Sequence, residues 1–128
     1  MILKQLSIFV ENRSGAITEP FGILWEAGVN AKAFIVADTA DYGIIRMILD
    51  DTDKAVQVFR DKGYAVNVAD VLGVKLDDKP GAFYEVLKKL SDAGINIDYS
   101  YAFAGPAAGE ATAVLRVSDI NAAELLLK

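Results

Sequence analysis

Apolar and polar residues alternate near the start of the chain, where Leu6, Ile8 and Val10 share one face. The same alternation returns at Leu72, Val74 and Leu76, so each stretch predicts a half-buried strand. A glycine-containing loop follows each strand: Glu11-Asn12-Arg13-Ser14-Gly15 in one case, Asp77-Asp78-Lys79-Pro80-Gly81 in the other. The period then becomes helical. Phe83, Val86, Leu87 and Leu90 stand at i, i+3, i+4 and i+7, and Ile17, Phe21, Leu24 and Trp25 form the matching stripe. Gly28 and Gly94 come next, where a left-handed C-cap needs glycine. Pro20, inside the first stripe, implies a kink or a late helix start near Thr18.

Two strands follow in each half, over residues 31–37 and 42–49, then 97–103 and 110–117. Asp38-Thr39-Ala40-Asp41 and residues 104–109 read as hairpin turns between them. A second helix starts behind Asp51-Thr52-Asp53 or Asp119-Ile120-Asn121 and buries Ala55, Val58 and Phe59 or Ala123, Leu126 and Leu127. Tyr64, Val66 and Val68 then alternate as a closing strand, which completes the order βαββαβ of a ferredoxin-like unit.

The halves repeat each other. A shift of 66 places Leu6 on Leu72, Gly15 on Gly81, Glu19 on Glu85, Gly28 on Gly94 and Asn30 on Asn96. Chance would match only about one position in fifteen at ordinary composition. Past Asn96 the register needs about four inserted residues, placed within 104–109, which brings Arg46 onto Arg116. The expected domains are therefore residues 1–69 and 70–128. The second stops roughly nine residues short of its closing strand. Either a tail completes it, or its sheet has one strand fewer and an edge to be covered.

Composition narrows the function. The 128 residues include no Cys and no His, which excludes disulfides, thiolate nucleophiles and Ser-His-Asp triads. A net charge of −5 argues against nucleic acid, whose binding needs a basic face. The N-terminal apolar stretch is too short and interrupted for a signal peptide, and no run reaches the roughly 20 residues that span a bilayer. The reading is a cytoplasmic, non-enzymatic protein with no cofactor, no metal and no membrane partner.

Candidate chemistry lies in the glycine loops. Each enters a helix at its positive dipole end, where backbone N–H groups suit a carboxylate or phosphate. Glu11 and Asn12, or Asp77 and Asp78, are acceptors that suit an ammonium group. An anion site beside a cation acceptor fits a free amino acid better than a phosphate, which the acids would repel. Asp or Asn before Gly at such a junction is also ordinary turn and N-cap chemistry, so both readings stand. Asn30 and Asn96 read as left-handed or turn residues, Asp50, Asp51 and Asp53 as caps, Trp25 as a cover for a sheet, and Arg46 and Arg116 as inter-repeat salt bridges or solvent-facing stems.

Two βαββαβ units with a first-loop glycine, Asp-Asp-Lys-Pro-Gly at residues 77–81, and helix ends Glu-Ala-Gly-Val-Asn and Asp-Ala-Gly-Ile-Asn resemble a tandem ACT-domain protein. ACT domains are regulatory modules of amino-acid metabolism. The resemblance implies two units packed side by side, their strands joined into one antiparallel sheet of about eight with helices on one face. It implies a free amino acid held between ACT units by the first loops, here Asn12, Arg13, Ser14, Gly15, Ala16 and Ile17, and Asp78, Lys79, Pro80, Gly81, Ala82 and Phe83, with Asn30 and Asn96 as further candidates. Ser14 stands where the second repeat has Pro80, and no catalytic domain is attached, so regulation is expected in trans. The expected protein is an amino-acid sensor and homodimer, possible partner of an amino-acid metabolic enzyme. The alternative is an interaction module or regulatory subunit with no ligand of its own.

Overall fold

The computed structural model describes residues 1–38, 41–105 and 107–128. Its elements in chain order are β1 (Ile2–Glu11), α1 (Thr18–Ala27), β2 (Ala31–Asp38), β3 (Tyr42–Leu49), α2 (Thr52–Asp61), β4 (Val66–Asp77), α3 (Ala82–Asp92), β5 (Ile97–Ala104), β6 (Glu110–Val117) and α4 (Ile120–Leu126). They divide into an N-terminal unit, Lys4–Ala69, and a C-terminal unit formed by Met1–Leu3 with Asp70–Lys128.

In the N-terminal unit the strand order is β2-β3-β1-β4. Leu6 lies opposite Met47 and Ile8 opposite Ile45 in the antiparallel β1–β3 pair. These residues, with Val10 and Leu49, form one apolar sheet face, and both helices cover it through Leu24, Ala55 and Phe59. The C-terminal unit repeats the plan in the order β4-β6-β5, with Leu72 opposite Leu115. Its core joins Leu72, Ala113, Leu115 and Val117 to Leu90 of α3 and Ala123 of α4.

Six strands are found among the described residues, where eight were expected. Two physical reasons account for the difference. The alternation at Tyr64, Val66 and Val68 does not stop at Ala69-Asp70 but continues into Leu72, so one twelve-residue strand, β4, replaces two. In the C-terminal unit, residues 1–3 flank β4 on the side where a closing strand was expected. The Gly73 N–H donates to the Met1 carbonyl at 2.7 Å, and the Met1 nitrogen donates to the Gly73 carbonyl at 3.2 Å. A Cβ at Gly73 would stand 2.7 Å from Leu3 Cδ1, so a larger residue would push the Leu3 side chain aside.

Local chemistry sets the helix ends. Asp51 accepts from the Lys54 N–H and Asp119 from the Ala122 N–H, both at 3.1 Å, which caps α2 and α4. With Pro20 in its first turn, α1 starts at Thr18, two residues later in the repeat than α3. Strands β3 and β6 begin at Tyr42 and Glu110, so the insertion amounts to two residues and not four. Arg46 is therefore not equivalent to Arg116: it pairs with Ser7 and Ile35, whereas Arg116 pairs with Tyr99 and donates to the Asp70 carbonyl at 3.0 Å. Thr39, Ala40 and Pro106, in the two expected hairpin turns, lie outside the described residues.

Candidate functional site

Both glycine loops are built alike. The N–H of Arg13 donates to the Glu11 carbonyl (3.0 Å), as Lys79 does to Asp77 (2.9 Å). Ala16 donates to Arg13 and Ala82 to Lys79, then Glu19 to Gly15 and Glu85 to Gly81. Gly15 and Gly81 hold φ of 84° and 88°, a conformation only glycine adopts cheaply. Nothing lies within 4 Å of where a Cβ would stand on either glycine, so the backbone at each helix entrance is open to approach.

Each loop pairs an acid with a cation at matching positions. Glu11 accepts from Arg13 Nε at 2.9 Å, and Asp77 lies 4.0 Å from Lys79 Nζ. The N-terminal unit then adds groups of its own. Arg13 also reaches Glu19 at 3.3 Å, and the Tyr64 hydroxyl donates to Glu19 at 3.5 Å. Glu11 first and Glu19 second raise the Arg13 pKa above its ordinary value. Partial burial first, and the Glu19 carboxylate second, push the Tyr64 phenol above its ordinary 10.0, which keeps it a donor. Together Glu11, Arg13, Ala16, Glu19, Lys62 and Tyr64 help to line a polar cavity of about 420 Å³.

The C-terminal unit has a hollow at a different place in the repeat. Phe83, in the first turn of α3, joins Leu76, Ser100, Tyr101, Ala102 and Ala113 around an apolar hollow of about 260 Å³.

Of the candidate residues, Asn12, Arg13, Ser14, Gly15 and Ile17 are exposed around a buried Ala16. Asp78, Lys79, Pro80 and Gly81 are exposed, and Ala82 and Phe83 start α3. Asn30 and Asn96 are not brought to these loops, since each follows the far end of a helix that is about 15 Å long at 1.5 Å per residue. The Asn30 N–H donates to Asp50 Oδ1 at 2.9 Å and the Asn96 N–H to Ser118 Oγ at 3.0 Å, which ties each first hairpin strand to the end of its neighbour. Neither asparagine is left-handed, since every positive φ among the described residues belongs to glycine. Trp25 covers no sheet and is 82% exposed.

Sequence reasoning missed Glu19 and Tyr64 as site residues. The repeat did mark Glu19, through Glu85, but its partner Tyr64 lies 45 residues away and no periodicity links them. Among the described residues no group of three or more His, Cys, Asp or Glu is placed to hold a metal, and no helix is long and apolar enough to cross a membrane.

These features define a duplicated ferredoxin-like protein, each half turning into its first helix through a left-handed glycine. The comparisons agree: the chain belongs to the ACT domain pair family, whose model matches residues 1–127. Protein BT0572 from Bacteroides thetaiotaomicron is 41% identical, with 99% of this chain and 87% of that chain covered and a TM-score of 0.92. The regulatory subunits of aspartate kinase from Thermus thermophilus (ligand-free form) and Thermus flavus superpose with TM-scores of 0.71 and 0.67. Each is 14% identical over 97% of this chain and 87% of that one, a likeness of fold. No curated protein matches the sequence.

Proposed function

We propose that this chain is a non-enzymatic regulatory protein that binds a small free amino acid through the glycine loop of an ACT domain, where that loop faces a second ACT domain. The observation that carries the reading is the repeated open backbone at Gly15 and Gly81. The missing side chain at each glycine lets the ligand's carboxylate approach the backbone near the positive end of the helix that follows. Glu11 and Asp77 suit its ammonium. Their pairings with Arg13 and Lys79 are exposed, and exposed ion pairs are weak enough for a ligand to displace. Binding acts on a metabolic enzyme in trans, in the cytoplasm, only as far as the ligand prefers one conformation or assembly over another.

Titration calorimetry and thermal shift against the twenty amino acids test this. A ligand at one hundred times its Kd adds about 2.7 kcal/mol of stability, and Gly15→Asp or Gly81→Asp is expected to abolish the gain at its own loop. No shift with any amino acid would sink the reading. The alternative, an interaction module without a ligand, draws on the exposed aromatics near Trp25. A stoichiometric enzyme subunit that co-purifies independently of amino acids would favour it.

A further inference from the structure

We infer that the glycine loop of the C-terminal unit takes an amino acid with a branched aliphatic side chain, of the size of valine, leucine or isoleucine. This rests on the reading above for the ligand's carboxylate and ammonium at the loop, and deepens it by naming the side chain.

The hollow beside Phe83 lies at the root of that loop. Leu76 precedes Asp77 and Phe83 follows Ala82, so the two side chains flank the loop on its way from β4 into α3. Ser100 and Ala102 of β5 and Ala113 of β6 supply more of the wall. Ala102 lies opposite Ala113 and Ser100 opposite Leu115, on the sheet face that carries the core. The Ser100 hydroxyl donates to the Val114 carbonyl at 2.9 Å, so its proton is already engaged. The volume of about 260 Å³ falls below the roughly 300–1,000 Å³ of sites for drug-sized ligands, which fits one small side chain and not a large effector.

The N-terminal unit serves as an internal control. Val36 lies opposite Ile45 there, as Ala102 lies opposite Ala113, and Phe34 lies opposite Met47, as Ser100 lies opposite Leu115. Phe34, Val36 and Ile45 are therefore the counterparts of Ser100, Ala102 and Ala113, and the same register forms with large apolar groups at all three positions. The backbone of the C-terminal unit does not require small residues here. Nor does its stability, since walls that face a void lose the dispersion contacts a neighbour would supply. Apolar space opened beside the loop serves a ligand that fills it.

The size of the space sets the class. Leu76 and Phe83 are larger than Val10 and Ile17, their counterparts at a shift of 66, and take back part of the room. What is left suits an aliphatic branch and is too little for an aromatic ring. A charged side chain would lose its hydration and meet no opposite charge among the lining residues.

Calorimetric titration of the whole chain tests this with valine, leucine, isoleucine, alanine, phenylalanine, aspartate and lysine as probes. The three branched amino acids are expected to bind about tenfold or more tighter than alanine, because each buries further carbon in the hollow. Phenylalanine, aspartate and lysine should bind more weakly than any of the three. Ser100→Phe and Ala102→Val restore the residues of the N-terminal unit, and each is expected to weaken leucine binding by about tenfold or more. Ala102 is exposed and Ser100 half-buried, and urea unfolding checks that both variants stay as stable as the parent chain. Leu125→Ser, at an exposed position of α4, should leave binding unchanged. Chemical-shift changes on adding leucine should concentrate at residues 76–83, 100–102 and 113. A preference for alanine, an aromatic or a charged amino acid overturns the inference and leaves the loop as an amino-acid site. So does leucine binding that is indifferent to Ser100→Phe and Ala102→Val, or shifts confined to the N-terminal unit. If no amino acid binds, the reading above fails and this inference with it.

Discussion

Where the N-terminal unit buries Phe59 completely, edge-to-face against Tyr64, the C-terminal unit has a half-buried Leu127. Phe59 stands inside α2, whereas Leu127 is the C-cap that follows α4, though both helices begin at an equivalent capping aspartate. Backbone devices have survived the duplication closely, as the matched φ of Gly15 and Gly81 shows. Side chains have diverged. In one unit the loop cation Arg13 reaches Glu19, which also accepts from Tyr64; in the other, Lys79 lies near Asp77. A duplicated fold keeps what the chain needs in order to turn, and frees its surfaces for separate work.

Substitutions can test that contrast. Phe59→Ala is expected to cost about 3–5 kcal/mol by leaving a cavity, and Leu127→Ala distinctly less; equal losses in urea unfolding would erase the difference between the two cores. Gly73→Val should cost about 1 kcal/mol, the low end for overpacking, because the Leu3 side chain can move aside. Native-state hydrogen exchange should place that loss in the C-terminal unit. Gly15→Ala and Gly81→Ala should each cost about 1 kcal/mol, and by similar amounts, because both residues are left-handed in open space. Unequal costs would break the equivalence of the loops.

The smallest expected effect is a pH dependence peculiar to the N-terminal unit. Folding raises the Tyr64 pKa, so the stability it lends is complete below pH 10.0 and lost as pH climbs through the folded value. Alkaline unfolding of Tyr64→Phe should lack that component. Identical curves for the variant and the parent chain would remove Tyr64 from the network.

Much of the fold was legible in the sequence because the chain carries two copies of it. Strand alternation, the glycine loops, the aspartate caps and the late start of α1 at Pro20 all act locally, and local chemistry is what a sequence displays. The eight-strand expectation erred at Ala69-Asp70, the boundary between the two expected domains, which lies within β4 because nothing local forbids an extended backbone there. Trp25 misled because its helical stripe is real while the surface it faces is uncovered. The glycine loops were visible in the sequence as candidates, but the Glu19–Tyr64 contact was not, because it depends on how distant elements meet.

The Gly73 bond to Met1 also sets an order of events. Its partners are 72 residues apart, so residues 1–3 leave the ribosome well before the strand they pair with exists. The N-terminal unit can gather its strands meanwhile. The C-terminal unit must close a long loop at the end, a slow and entropically costly step. Pulse-labelled exchange during refolding should therefore find the Gly73 amide protected later than the amides of the β1–β3 ladder. Until then β4 is an open edge, and its vulnerability to aggregation is greatest while the chain is being made.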